Sequence, residues 1–206
     1  NVIDILPSPT SYFIVDNESG CEDLMVNFTN LSTASTQYIW DLKNGTSSVE
    51  KDLEYTFVNP GTYEVSLISL TNNGCPSDTT SRTITVHSKP MADFDIQKDS
   101  VCGVPMFVNF VNNSIGNLDN VWSINGIATS QDPSFDNVFT TASTNDISLI
   151  VQNEFLCADT IHKTVDIFLQ PIADFDVNGQ ACEGESIIIE NNSMNAISYI
   201  WDIQNQ

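Results

Sequence analysis

The chain has 206 residues, 41% of them hydrophobic, and a formal net charge of −21. This apolar fraction is sufficient for packed cores and excludes a disordered segment, whereas so acidic a surface repels phosphate backbones and excludes nucleic-acid partners. No run of about 18 apolar residues occurs, so we expect no membrane insertion in this part of the chain.

The sequence repeats itself at an interval of about 81 residues. Its three tryptophans, Trp40, Trp122 and Trp201, lie in similar apolar runs that recur at close to this interval. Prolines, phenylalanines and cysteines keep nearly the same interval, at Pro9, Pro90 and Pro171, at Phe13, Phe94 and Phe175, and at Cys21, Cys102 and Cys182. Four residue types at one period indicate a repeated module.

The period also predicts the domain boundaries. Residues 9–89 and 90–170 form two complete repeats, and residues 171–206 form the N-terminal part of a further repeat. Residues 1–8 occupy the position of the last strand of a preceding repeat. Donation of residues 1–6 to the third repeat of another molecule is the alternative, but one strand would not supply the roughly four that this repeat lacks.

Each repeat begins with a short alternating strand, clearest at residues 90–96 and 171–177. Alternation places the alanine, phenylalanine and aliphatic side chains on one face and the aspartates on the other. A second strand with a polar end follows the cysteine, at residues 25–30, 107–112 and 187–191.

The tryptophan strands follow, at residues 38–42, 120–124 and 199–203. In the first repeat Asn44-Gly45 predicts a hairpin turn, and residues 53–57 and 63–70 after it read as two further strands. The second-repeat partner of the latter is residues 147–151, and last strands close the repeats at residues 83–86 and 164–168. About seven short strands per repeat indicate an all-β fold of antiparallel sandwiches. The predicted core residues are Trp40, Trp122, Trp201, Phe28 and Phe110.

The cysteine spacings predict disulfides. The interval from Cys21 to Cys75 is nearly the same as the interval from Cys102 to Cys157, so we expect one bridge within each repeat, with Cys182 paired beyond the segment. Each bridge would stabilise its repeat by about 4 kcal/mol in the chain-entropy model. Such disulfides indicate an extracellular location, secreted or on a cell surface. Free buried cysteines are the alternative, and the absence of a CxxC motif argues against zinc.

Laid out in this way, the repeat resembles the PKD domain, an immunoglobulin-like β-sandwich of many bacterial surface and secreted proteins. The resemblance rests on the Phe-x-Asn-x-Ser ends of the second strands, at residues 28–32 and 110–114, and on the aromatic-x-Trp-Asp strands, at residues 38–41 and 199–202. It rests also on the Pro-Gly-Thr-Tyr-Glu-Val turn at residues 60–65 and on the Asn-Gly-Cys turn at residues 73–78. It implies tandem immunoglobulin-like sandwiches arranged end to end.

The acidic, Asn- and Thr-rich composition is similar to that of PKD arrays in large Bacteroidetes surface proteins, including gliding adhesins and other type IX secretion cargo. In that group, Asp-Ser/Thr-apolar tripeptides carry O-glycans. The resemblance therefore implies candidate O-glycosylation sites at Ser100 and Thr160, and more loosely at Thr79. The alternative is that these are ordinary loop residues.

No catalytic constellation is visible, because the sequence contains no GxSxG, HExxH, Walker or GxGxxG motif. We therefore expect no catalytic residues and no enzyme activity. The one cofactor considered is Ca²⁺, for which Asp93, Asp95, Asp174 and Asp176 are candidate ligands between repeats. Solvated charges on the strand face are the alternative, and no metal site is assigned.

These patterns favour a structural spacer or stalk in a large extracellular or cell-surface protein, an adhesin, that projects a tip domain. The partners expected of this segment are neighbouring repeats of the same chain, while a surface polysaccharide or protein ligand would bind another part of the parent protein. Two alternatives are an accessory substrate-binding module of a secreted hydrolase and a subunit of a surface filament.

Overall fold

A computed structural model describes residues 8–179, 182 and 184–202, and within them every regular element is a β-strand. The all-β class predicted from the sequence is confirmed. The strands are β1 (Phe13–Val15), β2 (Ser19–Cys21), β3 (Leu24–Asn30), β4 (Gln37–Asp41), β5 (Ser47–Ser48), β6 (Leu53–Phe57), β7 (Gly61–Leu70), β8 (Thr80–His87), β9 (Phe94–Lys98), β10 (Met106–Asn112), β11 (Asp119–Ile124), β12 (Ile127–Ser130), β13 (Ser134–Phe139), β14 (Ser143–Gln152), β15 (Ala158–Ile167), β16 (Phe175–Asn178) and β17 (Ile188–Asn191). In this described part of the chain no helix could cross a membrane.

Of the strand predicted in residues 1–8, only Ser8 is among the described residues. Residues 203–206 of the predicted third repeat also lie outside them. The described residues form two compact units. Unit 1 comprises residues up to 92 together with 114–119 and 150–160, and unit 2 comprises 93–113, 120–149 and the residues from 161 onward. Unit 1 thus combines the first repeat with two segments of the second. The repeat boundaries at residues 89 and 170 stay predictions.

Unit 1 contains a sandwich of two sheets, with strand orders β1-β3-β6 and β2-β8-β7-β4-β5. Neighbouring strands are antiparallel except β2 and β8, which run parallel and align Cys21 with His87. The β4–β5 hairpin contains the predicted Asn44-Gly45 turn, in which Leu42 N donates to Thr46 O at 3.1 Å. Gly45 has a φ of 91°, which glycine adopts without a steric penalty.

The core of unit 1 lies between these sheets because strands of both bury alternate side chains. Its buried residues are Phe13, Val26, Phe28, Trp40, Leu42, Phe57, Val65, Leu67, Ile84 and Val86. In β7 the alternation breaks at Val65, Ser66 and Leu67, which are all buried. The predicted core positions of Phe28 and Trp40 are therefore occupied by fully buried rings.

Unit 2 carries the corresponding aromatic residues of the second repeat. Two sheets lie largely in unit 2, with strand orders β13-β10-β9 and β12-β11-β14-β15, and Phe94, Phe110 and Trp122 are fully buried. β16 and β17 of the third repeat pair in antiparallel fashion.

The predicted and observed strands differ mainly at their starts. The strands predicted over residues 90–96 and 171–177 begin only at Phe94 and Phe175. Pro90 and Pro171 lack the N–H that a continuous ladder needs, and the residue after each forms only an isolated bridge, Met91 with Ile115 and Ile172 with Met194. The short polar strands β2 and β5 show no apolar alternation and were not predicted.

Candidate functional site

The site with the most specific chemistry is a disulfide between Cys21 and Cys157. Their Cα atoms are 5.5 Å apart, although 136 residues separate them in the sequence. Cys21 ends β2 of the first repeat, whereas Cys157 immediately precedes β15 of the second. Both belong to unit 1, so the bond joins two distant segments of that unit, which the sequence period assigns to the predicted first and second repeats.

The bridges expected within repeats, Cys21–Cys75 and Cys102–Cys157, are therefore corrected: Cys75 and Cys102 are free thiols. Strand β8 supplies the reason in the first repeat. Cys21 pairs with His87 at the end of β8, whereas Cys75 lies in the loop before β8 begins. A strand of this length separates its ends by about 23 Å, and bonded cysteines need Cα atoms within about 7 Å.

Hydrogen bonds hold the backbone beside each bonded cysteine, at the end of β2 for Cys21 and in a loop for Cys157. Beside Cys21, Glu22 N donates to His87 O at 2.8 Å. Around Cys157, Asn153 N donates to the Cys157 carbonyl and Cys157 N donates to Asn153 Oδ1, both at 3.0 Å. The two sulfur atoms are thereby presented by ordered backbone.

Further contacts inside unit 1 surround the disulfide. The His87 ring stacks on Phe155, with centroids 3.8 Å apart and planes at 10°. Asn153 Nδ2 donates to Ser88 O at 2.8 Å, and Ala92 N donates to Asp159 Oδ2 at 2.8 Å. Several independent contacts therefore hold the short segment after β8 against the loop that carries Cys157.

A cation lies over a buried phenylalanine at two positions that are about one sequence period apart. Arg82 Nε donates to Phe13 O at 3.0 Å, and its guanidinium carbon lies 5.9 Å from the centre of the Phe13 ring. Lys163 Nζ donates to Phe94 O and lies 4.8 Å from the centre of that ring. Such cation–ring contacts are favourable. Sequence reasoning missed both cations, although one repeat period separates them in the sequence.

The Lys163 ammonium also holds a carboxylate. Nζ donates to Asp93 Oδ1 at 2.9 Å. This hydrogen bond, with a smaller contribution from Phe94 N, places the pKa of Asp93 below its ordinary value of 3.8. The charged form is favoured because its oxygens accept these hydrogen bonds.

Three of the four candidate Ca²⁺ ligands have carboxylates that are engaged in other contacts. Besides the pair of Asp93 with Lys163, Asp95 Oδ2 accepts from Asn113 Nδ2 at 2.9 Å, and Asp176 Oδ2 accepts from Asn192 Nδ2 at 3.0 Å. Among the described residues no three His, Cys, Asp or Glu side chains come together in a way that could hold a metal ion. Ca²⁺ usually takes six to eight oxygen ligands, so these contacts give it no support.

The third repeat presents an open groove instead of a covered core. The groove has a volume of about 630 Å³ and includes Phe175, Tyr199 and Trp201 in its lining. Phe175 meets Trp201 edge to face at 5.5 Å and 80°, as Phe94 meets Trp122 at 5.1 Å and 80°. These rings correspond to core residues, but within the described residues only β16 and β17 form there.

The expectation that Trp201 is a buried core residue is therefore corrected, since 47% of it is exposed. Trp40 and Trp122, by contrast, have no exposed surface. The three candidate O-glycosylation residues, Thr79, Ser100 and Thr160, are all exposed. Exposure is compatible with modification but does not test it, so those sites stay predictions.

Comparison with known proteins identifies a domain in the first repeat. Residues 7–86 match the family model described as the PKD domain. This match supports a PKD-like, immunoglobulin-like domain over that stretch. The comparison with curated proteins found no match.

Solved structures similar to the chain include three β-domain proteins. The fibronectin(III)-like modules of Clostridium thermocellum CbhA are 14% identical over 77% of this chain and 94% of that one, with a TM-score of 0.38. Carbohydrate-binding modules from the beta-sandwich super family are 15% identical over 78% of each chain, with a TM-score of 0.37. The D00-D0 domain of Intimin is 11% identical over 79% of this chain and all of that one, with a TM-score of 0.32.

Proposed function

We propose that this chain is a structural spacer in a large extracellular or cell-surface adhesin, where tandem PKD-like repeats project a tip domain. The observation that carries the proposal is the disulfide between Cys21 and Cys157. A bond that joins one repeat to a loop of the next limits how far the two can separate under load. A stalk requires this property, whereas a flexible linker does not.

The contacts around the disulfide support the same role. The segment that joins the first two repeats contains Ser88 and Pro90, and proline restricts its backbone. Ser88 O accepts from Asn153 Nδ2, and Met91 exchanges backbone hydrogen bonds of 2.9 and 3.0 Å with Ile115. This linker is thereby held by hydrogen bonds on both sides of Pro90.

The disulfide also supports the proposed location. Disulfides persist in oxidising compartments, and they are rare where glutathione and thioredoxin keep thiols reduced. A net charge of −21 favours solubility and resists self-association at a crowded surface. Both properties suit a protein exposed to the medium.

The spacer proposal is tested by locating the protein on its source cells. An antibody against this segment is used to probe intact cells, with and without external protease, and the culture medium. A very large, cell-bound band that protease erases is the expected result. A moderate-sized band released into the medium would overturn the stalk proposal.

A second candidate, an accessory substrate-binding module of a secreted hydrolase, is favoured by one observation. Tyr199 and Trp201 are about half exposed beside the groove of the third repeat, and exposed aromatic rings provide stacking surfaces for sugars. Affinity electrophoresis against soluble polysaccharides tests this candidate. Retardation that disappears in Trp201→Ala but persists in the control Ile197→Ala, which is fully exposed outside the groove lining, would support it. Equal mobility of all three proteins would rule it out.

A further inference from the structure

We propose that Cys75 and Cys102 are interface cysteines, each bonded in the assembled protein to a cysteine of an adjacent PKD-like module. Cys75 would pair with the counterpart of Cys21 in the preceding module, and Cys102 with the counterpart of Cys157 in the following module. The inference rests on the tandem array of the proposed function and deepens it. The result is a ladder in which each module is covalently joined to the next.

The first step is positional equivalence. Cys102 follows Cys21 by one repeat period, and Cys157 follows Cys75 by almost the same interval. Because the disulfide joins the first-position cysteine of one repeat to the second-position cysteine of the next, the same rule assigns a partner to every cysteine. That partner lies one module away, so neither Cys75 nor Cys102 pairs with the other cysteine of its own repeat.

The second step is a backbone hydrogen bond that Cys21 and Cys102 have in common at the next residue. In the first repeat, Glu22 N donates to His87 O at 2.8 Å, and in the second, Gly103 N donates to Phe168 O at the same distance. Residues 103 and 168 are the period equivalents of 22 and 87. One backbone hydrogen bond beside Cys21 is therefore reproduced beside Cys102, although Cys102 lies in no strand.

The third step is the matching loop on the other side of the bond. Around Cys75, Thr71 N donates to the Cys75 carbonyl at 3.0 Å and Cys75 N donates to Thr71 Oγ1 at 3.1 Å. Asn153 makes the same two contacts with Cys157, at 3.0 Å each. The Cys75 loop thus has the conformation of a loop whose cysteine is already bonded.

The surface beside Cys102 is open in a way that fits this partner. Phe168 occupies the position of His87, whose ring stacks on Phe155 of the bonded loop. Phe168 is 57% exposed and Val101 is 85% exposed, and both line a groove of about 610 Å³. A loop equivalent to the one that carries Cys157 would cover these apolar side chains.

The chemistry balances with a disulfide-form thiol oxidoreductase as the oxidant. Two S–H bonds break and one S–S bond forms between the modules. The two electrons and two protons released reduce the oxidant's disulfide to two thiols. The reaction therefore requires the oxidising compartment that the proposed function already places around the chain.

The experiment is a disulfide map of the full-length protein from source cells, alkylated without reduction, digested with trypsin and analysed by mass spectrometry. The lysines and arginines of the chain give separate peptides: one that ends at Lys43 and carries Cys21 (1–43 within this chain), 52–82 with Cys75, and 99–163 with Cys102 and Cys157. We expect 52–82 to be linked to a peptide from outside residues 1–206. We expect 99–163 to be linked both to 1–43 and to another outside peptide.

A matched pair of full-length variants separates the bonds. Cys102→Ser should make one cysteine outside residues 1–206 newly alkylatable, whereas the control Cys21→Ser should do so only for Cys157. A Cys21–Cys157 link accompanied by alkylated Cys75 and Cys102 would overturn the ladder and leave the spacer proposal standing. A peptide 1–43 that is linked to 52–82, or not linked at all, would overturn the ladder and also remove the observation that carries the spacer proposal.

Discussion

At the scale of single residues, Trp40 and Trp122 each pack edge to face against a buried phenylalanine. Phe13 lies 5.0 Å from Trp40 at 73°, and Phe94 lies 5.1 Å from Trp122 at 80°. Each indole N–H also finds a carbonyl: Trp40 Nε1 donates to Glu50 O and Trp122 Nε1 to Asp132 O, both at 2.9 Å. A buried tryptophan needs both contacts, because its ring is apolar and its N–H is a donor.

Trp122→Ala should lower the free energy of unfolding by about 3–5 kcal/mol, since it leaves a cavity and removes one of the two donors to Asp132 O, the other being Asn120 Nδ2. Urea denaturation followed by far-ultraviolet circular dichroism measures the loss. The control Ile127→Ala changes a side chain that is 72% exposed and should stay within about 0.5 kcal/mol of the wild type. Equal effects of the two substitutions would contradict a core role for Trp122.

The Asp93–Lys163 pair makes stability depend on pH. The hydrogen bond from Lys163 lowers the pKa of Asp93 in the folded protein below its ordinary value of 3.8. For a lowered carboxyl pKa, the stabilisation is complete above the unfolded pKa and is lost as the pH falls through the folded pKa. Asp93→Asn should therefore destabilise the protein at pH 7 and have little effect at a pH below the folded pKa.

Denaturation of the wild type and Asp93→Asn across this acidic range tests the expectation. Asp95→Asn is the control, because it removes the same charge two residues along the chain, from a carboxylate that accepts from Asn113. Asp95→Asn should lower the free energy of unfolding at neutral pH by less than Asp93→Asn does. A loss of stability in Asp93→Asn that is the same at every pH would show that the ion pair is not the cause.

At the scale of elements, one strand determines which cysteines can meet. β8 runs from Thr80 to His87, with Cys75 before its start and Cys21 aligned with its end. The sequence interval between Cys21 and Cys75 contains no information about this separation in space. Strand length, and not spacing along the sequence, therefore decides the pairing in the first repeat.

Thiol titration of the 206-residue chain, unfolded without reductant, should find three thiols, those of Cys75, Cys102 and Cys182. Cys21→Ser should raise the number to four by freeing Cys157, and Cys75→Ser should lower it to two. Cys21→Ser should also reduce the free energy of complete unfolding by up to about 5 kcal/mol, the chain-entropy value for so long a loop. A single thiol in the wild type would instead indicate a bridge within each repeat.

At the scale of the whole chain, the disulfide prevents a long stretch of the chain from extending under force. The residues between Cys21 and Cys157 number more than half of the chain. A fully extended residue spans about 3.3–3.6 Å. Force applied at the two termini would therefore reach this stretch only after the bond is reduced.

Single-molecule pulling should show that reductant adds on the order of 450 Å of contour length, from 136 residues of separation. The control Cys21→Ser should release this same contour length without reductant. Bridges within repeats would instead hide two shorter stretches, 21–75 and 102–157, and release them separately. That pattern would overturn the covalent joint between repeats.

Local sequence was sufficient for much of the fold. β6 has the bounds predicted for it, residues 53–57, and the predicted strand at 63–70 lies within β7. Trp40, Trp122, Phe28 and Phe110 are buried where apolar strands were expected. These features follow from alternation and turn chemistry, which act between residues close in sequence.

The residues that meet at the disulfide site could not be identified from local sequence. The parallel pairing of β2 with β8, the stack of His87 on Phe155 and the bond from Cys21 to Cys157 join residues far apart in sequence. A repeat period preserves the spacing of cysteines within a repeat and between neighbouring repeats equally well, so the sequence alone cannot choose between the two pairings. Tertiary structure makes the choice, because a disulfide forms only where the fold brings two Cα atoms within about 7 Å.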